Sequence, residues 1–169
     1  MTDMQTPIWD FVLGYYRQQG VSEAAITLQD KIGIDVNMIL FLMWMAGHKR
    51  ALGADEVRRV SDVSKGWQHQ VVVPIRGVRR LLKENVPLVE NEAAQAYRKK
   101  IQALEIEGEQ LQLNAMGALA QAFKPAATAT AEEAARANLA VFAGVLGKEF
   151  PQAAVDAFVR ALKEQVHEK

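Results

Sequence analysis

Residues Leu28 to Arg50 read LQDKIGIDVNMILFLMWMAGHKR, and within them Met38 to Ala46 are nine apolar residues without a break. A helix with no polar side is stable only where other elements surround it. This stretch is therefore read as a central helix, with the rest of the chain packed around it. Nine residues fall far short of the roughly 20 that cross a bilayer. Asp35 stands where the helix needs an N-cap, Gly33 closes the preceding segment, and Gly47 and Gly53 bracket the exit.

On the N-terminal side, Thr6–Pro7 reads as an N-cap followed by proline at the first helical position. Ile8, Phe11, Val12 and Tyr15 then recur at helical spacing, and Gly20 ends the segment. Val21, Ala24, Ala25, Leu28 and Ile32 make a second stripe. On the C-terminal side, residues 54–83 read as helix with Val57, Val60, Trp67, Val71, Ile75, Val78 and Leu82 turned inward. Pro74 lacks an amide hydrogen and crowds the preceding turn, which places a kink or break near Val72–Val73. After the loop ENVPLVE a long helix covers about 91–123. Its expected seam is Ala94, Tyr97, Ile101, Leu104, Gly108, Leu111, Ala115, Ala118 and Ala122, in heptad-like steps. Thr130–Glu133 matches a capping box, and two further helices are expected over about 131–147 and 151–166. No strand pattern is visible.

The expected class is all-α, a bundle of about seven helices. Residues 1–123 are expected to form the bundle domain and 124–169 an alanine-rich C-terminal helical hairpin packed on it.

The 169 residues hold 20 basic and 20 acidic side chains and no cysteine. Disulfide, thiolate and cysteine–zinc chemistry are thereby excluded. Zero net charge hides a segregation: residues 48–83 hold nine basic and three acidic side chains. The start, MTDMQTPIWDF, shows no basic segment leading into a long apolar one, so a cytoplasmic location is expected.

The histidines His48, His69 and His167 have no metal-binding spacing, and no phosphate loop, dinucleotide fingerprint or nucleophile elbow occurs. Expectation therefore names no catalytic residue, no metal and no cofactor. The tryptophans Trp9, Trp44 and Trp67 and the methionines are read chiefly as core filler.

Two constellations stand out. Asp30, Asp35 and Asn37 crowd the entrance of the central helix. They are read first as caps and polar packing, and secondly as a site for Mg²⁺ or a substrate hydroxyl. PIRGVRRLLK places Arg76, Arg79, Arg80 and Lys83 on one side of a helix. If the helices flanking ENVPLVE run antiparallel, levels pair around 87 or 88. Arg76 then stands level with about Lys99, and Glu105 and Glu109 fall nearer Lys65 and His69. On that geometry Arg76, Arg79, Arg80 and Lys83, joined by Arg98, form an exposed patch for an anion or a partner protein. The competing reading is a solvated helix surface.

WDF at Trp9–Phe11, LQD at Leu28–Asp30, GIDVNMILFLMW at Gly33–Trp44, PIRGVRRLLK at Pro74–Lys83 and YRKKIQALEIEGE at Tyr97–Glu109 together resemble an uncharacterised family of small proteobacterial proteins, a domain of unknown function. The resemblance covers about residues 7–113 and implies an all-helical bacterial protein with no assigned activity. The leading functional expectation is a helical interaction or adaptor module with a protein partner. The alternatives are a binder of an anionic (phosphorylated or nucleic-acid) ligand and, third, a Mg²⁺-dependent helical enzyme using Asp30, Asp35 and Asn37.

Overall fold

The computed structural model describes residues 7–84 and 86–167, and the side chains of all of these but His167. The expected cap Thr6 lies outside the described residues. The elements are α1 (Ile8–Tyr15), α2 (Val21–Ile32), α3 (Val36–Gly47), β1 (Arg50–Ala51), α4 (Ala54–Trp67), a π-turn (Gln68–Val72), α5 (Val73–Leu81), α6 (Asn91–Ala120), β2 (Ala126–Ala127), α7 (Ala131–Leu146) and α8 (Gln152–His167). The class is all-α. No helix among the described residues is long and apolar enough to cross a membrane.

Two compact units divide the chain, one holding Met1–Ser61 with Leu113–Lys169 and the other Asp62–Gln112. These divisions fall inside α4 and α6, away from the 123/124 boundary expected from composition. Residues 124–169 join the first unit because α7 and α8 pack against its N-terminal helices.

The first unit is organised around α3. All residues from Asn37 to Ala46 are buried, with α1, α2, α7 and α8 packed on the helix. Gly20 and Gly33 take left-handed backbone, φ 86° and 74°, at the two ends of α2, which is why glycine is found at both. Pro7 takes an extended ψ of 135° and is the N-cap of α1, one position before the expected helical proline.

Two buried polar side chains in this unit bond across the fold. The Tyr15 hydroxyl donates to the Phe158 carbonyl at 2.8 Å. Asn138, fully buried, accepts from the Leu52 amide at 2.8 Å and donates to the carbonyls of Leu42 and Arg50 at 3.2 and 3.0 Å. One side chain on α7 thus ties the middle of α3 to β1 and the residue after it. The antiparallel pair β1–β2 corrects the strand-free expectation. At two residues per strand there is no alternation for a sequence pattern to register.

Thr130 caps α7 as expected, accepting from the Glu133 amide at 3.1 Å. Glu133 reaches back to the Ala129 amide at 3.1 Å, one residue beyond the cap whose own amide a capping box would engage.

The second unit is an antiparallel helical hairpin, and its register follows from three bonds. Gln112 Nε2 donates to Ser64 Oγ at 2.6 Å, Trp67 Nε1 to the Gly108 carbonyl at 2.9 Å, and Gln95 Nε2 to the Leu82 carbonyl at 2.8 Å. Levels therefore pair around residue 88, as the loop length predicts.

Pro74 does not break the rod. Trp67, Val72 and Val73 all keep right-handed helical backbone, and the Val73 amide donates to the Gln68 carbonyl five residues back. A single wide π-turn absorbs the missing proline N–H and the ring's bulk.

Candidate functional site

The π-turn decides which residues of the hairpin meet. Its extra residue per turn carries the inward line of the rod forward in steps of four, through Ser64, Gln68 and Val72 to Arg76. An uninterrupted 3.6-residue period, laid through the apolar residues, selects Trp67, Val71, Ile75 and Val78 instead. That expectation is corrected here. Ser64, Gln68 and Val72 are buried, whereas Trp67 and Val78 are exposed.

Opposite them, α6 turns Ala94, Glu105, Gly108 and Gln112 inward. Tyr97, Leu104 and Leu111, expected in the seam, each fall one position to its side and are exposed.

The hairpin seam is consequently ionic. Arg76 Nε donates to Glu105 at 2.7 Å and its terminal amine to Glu109 at 2.7 Å, while Arg79 Nε donates to the second Glu105 oxygen. The side chains of Arg76, Arg79 and Glu105 are 16%, 18% and 7% exposed, so this is an internal network. The backbone levels of Glu105 and Glu109 do fall at about residues 71 and 67, near Lys65 and His69 as expected, but their carboxylates pair with Arg76 and Arg79, which overturns the exposure expected of those two arginines. Helical side chains lean toward the N-terminus of their own helix. In an antiparallel pair, Arg76 on α5 and Glu105 on α6 lean toward each other and bridge the offset between their backbone levels.

Burial favours the neutral acid at Glu105, but hydrogen bonds from Arg79 and Arg76 outweigh it and hold the carboxyl below its ordinary 4.5. Arg76 is held above its ordinary value: burial opposes the charge, and its bonds to Glu105 and Glu109 prevail.

Of the remaining expected patch, Arg80 and Lys83 are exposed. Arg98 is half-buried and donates Nε to the Arg79 carbonyl at 3.3 Å. The five basic residues thus do not act as one surface: two neutralise Glu105, one braces the α5 backbone, and two face solvent.

With its polar residues turned inward, the hairpin shows apolar ones outward. Val63, Leu81, Tyr97, Leu104 and Leu111 are each more than half exposed, and Trp67 and Val78 about two-fifths. On α4–α5 these apolar residues precede the inward positions by one. On α6, Tyr97, Leu104 and Leu111 likewise precede Arg98, Glu105 and Gln112. In an antiparallel helix pair both such flanks lie on the same side, so one long face of the hairpin is apolar. The Trp67 bond to Gly108 crosses from one helix to the other on this side.

In the second expected constellation, Asp35 is a helix cap. Asp35 takes an extended ψ of 113° as N-cap of α3, and its Oδ1 accepts from the Asn37 amide at 2.9 Å. Asn37 is buried in the first turn, and Asp30 is exposed. Among the described residues no group of three or more His, Asp or Glu side chains is placed to hold a metal ion. Asp35→Asn is expected to leave the denaturation midpoint nearly unchanged, because asparagine caps as well as aspartate, and Asp35→Ala to cost about 0.5–2 kcal/mol. A rise in melting temperature with Mg²⁺ that Asp35→Asn abolishes would instead make the residue a ligand.

His48 packs edge-on against Trp44, its Nδ1 2.9 Å from the Trp44 carbonyl, and His69 is exposed. A groove between α7 and α8 is lined by Glu132, Arg136, Asp156, Arg160 and Lys163. Four of its charges pair with one another: Arg136 with Glu132 and Asp156, and Lys163 with Glu132. Exposed pairs of this kind contribute little to stability.

Sequence reasoning passed over Ser64, Gln68, Glu105 and Gln112 as inward residues because they are polar. The available signal was the even spacing of Arg98, Glu105 and Gln112, seven apart on α6.

A family model described as a protein of unknown function (DUF2390) matches residues 7–116. No curated protein and no solved structure matches the chain.

Proposed function

The chain belongs to this family of unknown function, and we propose that it acts as an interaction module, binding a protein partner on the apolar face of the Asp62–Gln112 hairpin. One observation carries the reading: the hairpin's seam is ionic while its exposed side is apolar. Burying arginines and a glutamate and leaving Leu81, Tyr97, Leu104 and Leu111 in water is unfavourable for a surface that stays in water. Interface cores are depleted of charged residues and enriched in tyrosine and tryptophan, and this face offers Tyr97 and Trp67 amid aliphatic side chains.

The test is a double variant, Leu81→Glu with Tyr97→Glu, compared with wild type by native mass spectrometry of purified material and by chemical denaturation. Loss of the bound polypeptide with stability changed by less than about 0.5 kcal/mol, as for substitutions at exposed sites, supports the reading. A variant that keeps every bound chain sinks it. So does a loss of several kcal/mol, because the face would then be internal.

A second reading is favoured by the exposure of Arg80 and Lys83 beside Lys99, which is exposed on α6. These three would take an anionic ligand. Such binding weakens steeply with salt, through counterion release in the case of nucleic acid. Arg80→Glu with Lys83→Glu abolishes binding of a polyanion such as heparin if this reading holds, and salt-insensitive binding rules it out.

A further inference from the structure

The apolar face carries a further statement about its occupant, which rests on the interaction reading above. We infer that the face pairs with a second copy of this chain, two hairpins packing antiparallel about Leu104 into a four-helix bundle.

The first ground is size. The seven exposed apolar residues of the face present on the order of 700 Å² of surface, close to the ~800 Å² that each partner gives a standard interface.

The second ground is the symmetry of the pattern. Tyr97, Leu104 and Leu111 are evenly spaced on α6, centred on Leu104. On the other helix, Val63 and Trp67 at one end and Leu81 and Val78 at the other are centred near Val72. By the register that pairs Ser64 with Gln112, Val72 stands level with Leu104. Both stripes thus share one midpoint. A two-fold axis crossing the helices there sets Tyr97 against the partner's Leu111. It sets Val63 and Trp67 against the partner's Leu81 and Val78. A two-fold contact requires a self-complementary surface of this kind.

The third ground is charge. Lys100 and Glu107 are exposed and lie between the apolar residues of α6, giving Tyr97, Lys100, Leu104, Glu107 and Leu111 alternating steps of three and four. Antiparallel packing about Leu104 brings Lys100 opposite the partner's Glu107 on both sides of the axis. Parallel packing of the two α6 helices would bring like charges together. Opposed pairs at such positions set partner choice and orientation in helical bundles.

The test is sedimentation equilibrium of the full chain, with circular dichroism as a check on folding. Wild type is expected at twice the 18.7 kDa chain mass. Leu104→Glu sets two carboxylates together at the axis and is expected to give monomer. Lys100→Glu and Glu107→Lys are each expected to weaken the dimer about tenfold, and the double swap to restore it, because it re-forms the pairs.

A monomeric wild type at high micromolar concentration overturns the inference. So does a dimer that survives Leu104→Glu, or a double swap no tighter than the single variants. If wild type is monomeric but still holds another polypeptide that Leu104→Glu releases, the interaction reading stands and the second copy is ruled out. If Leu104→Glu changes neither mass nor bound polypeptide, both fail.

Discussion

Trp44→Ala is expected to lower the stability of the protein by about 3–5 kcal/mol, the range for truncating a large aromatic side chain in a close-packed core. Trp44 is 3% exposed on the helix that organises the first unit. Its ring lies 6.2 Å from Phe41 and 5.4 Å from the His48 ring. Its far edge is in van der Waals range of the position a side chain at Gly117 would begin from, with Cη2 3.6 Å away. Removing the indole leaves a hollow among α3 and α6 residues that helical backbones cannot close by small shifts. Trp44→Phe keeps most of the volume and is expected to cost clearly less. The measurement is chemical denaturation with an unchanged denaturant slope. A cost below 1 kcal/mol for Trp44→Ala would show that the site collapses freely, and that the close packing around α3 is not what holds this unit together.

How far the fold was legible follows from where hydrophobicity alone decides. Met38 to Ala46 has no polar side, so its central position could be read directly. Asp35 could be read first as its cap, because a carboxylate there accepts from the free amides of the first turn, with a ligand site as the second reading. The hairpin's register was also legible. A short loop between two long helices fixes which levels meet, and Ser64 meets Gln112 where that argument puts it.

The rotation of the helices was not legible. The inward positions are filled by Ser64, Gln68, Arg76 and Glu105, which a search for apolar stripes discards. The π-turn then shifts the phase of α5 by about one residue, and Pro74 announced a disturbance without saying that the rod would absorb it. The same error decided the candidate site. A stripe of arginines looks like a surface until one sees that the carboxylates it needs lie about one and a half to two and a half turns away along the facing helix. The rotation that buried those arginines also exposed the leucines and tyrosine of α6. One misplaced turn therefore exchanged an anion-binding surface for an apolar one.

Glu105→Ala is expected to cost about 3 kcal/mol, at the lower end of the range for removing one member of a buried ion network. The loss is less the value of the pairs than the penalty of leaving Arg79 inward with no carboxylate and Arg76 with Glu109 alone. The charge network also predicts a pH dependence. The folded protein holds the Glu105 carboxyl below its ordinary 4.5, so the unfolded chain takes up that proton first as pH falls. Glu105 therefore contributes its full stabilisation above about pH 4.5, and the contribution is lost as pH drops through the folded value. The gap between wild type and Glu105→Gln should stay constant from neutral pH to that point and close below it. Denaturation midpoints measured across the acid range test this, and a gap that persists undiminished at the acid end contradicts it. A triple replacement, Arg76→Met with Arg79→Met and Glu105→Leu, separates stability from specificity. An apolar seam of similar volume is expected to be neutral or more stable by about 1–4 kcal/mol. If it is, the ionic seam is there to choose a rotation. With charges inside, the hairpin has one way to pair its helices and must turn its leucines outward; with leucines on both sides, it has two.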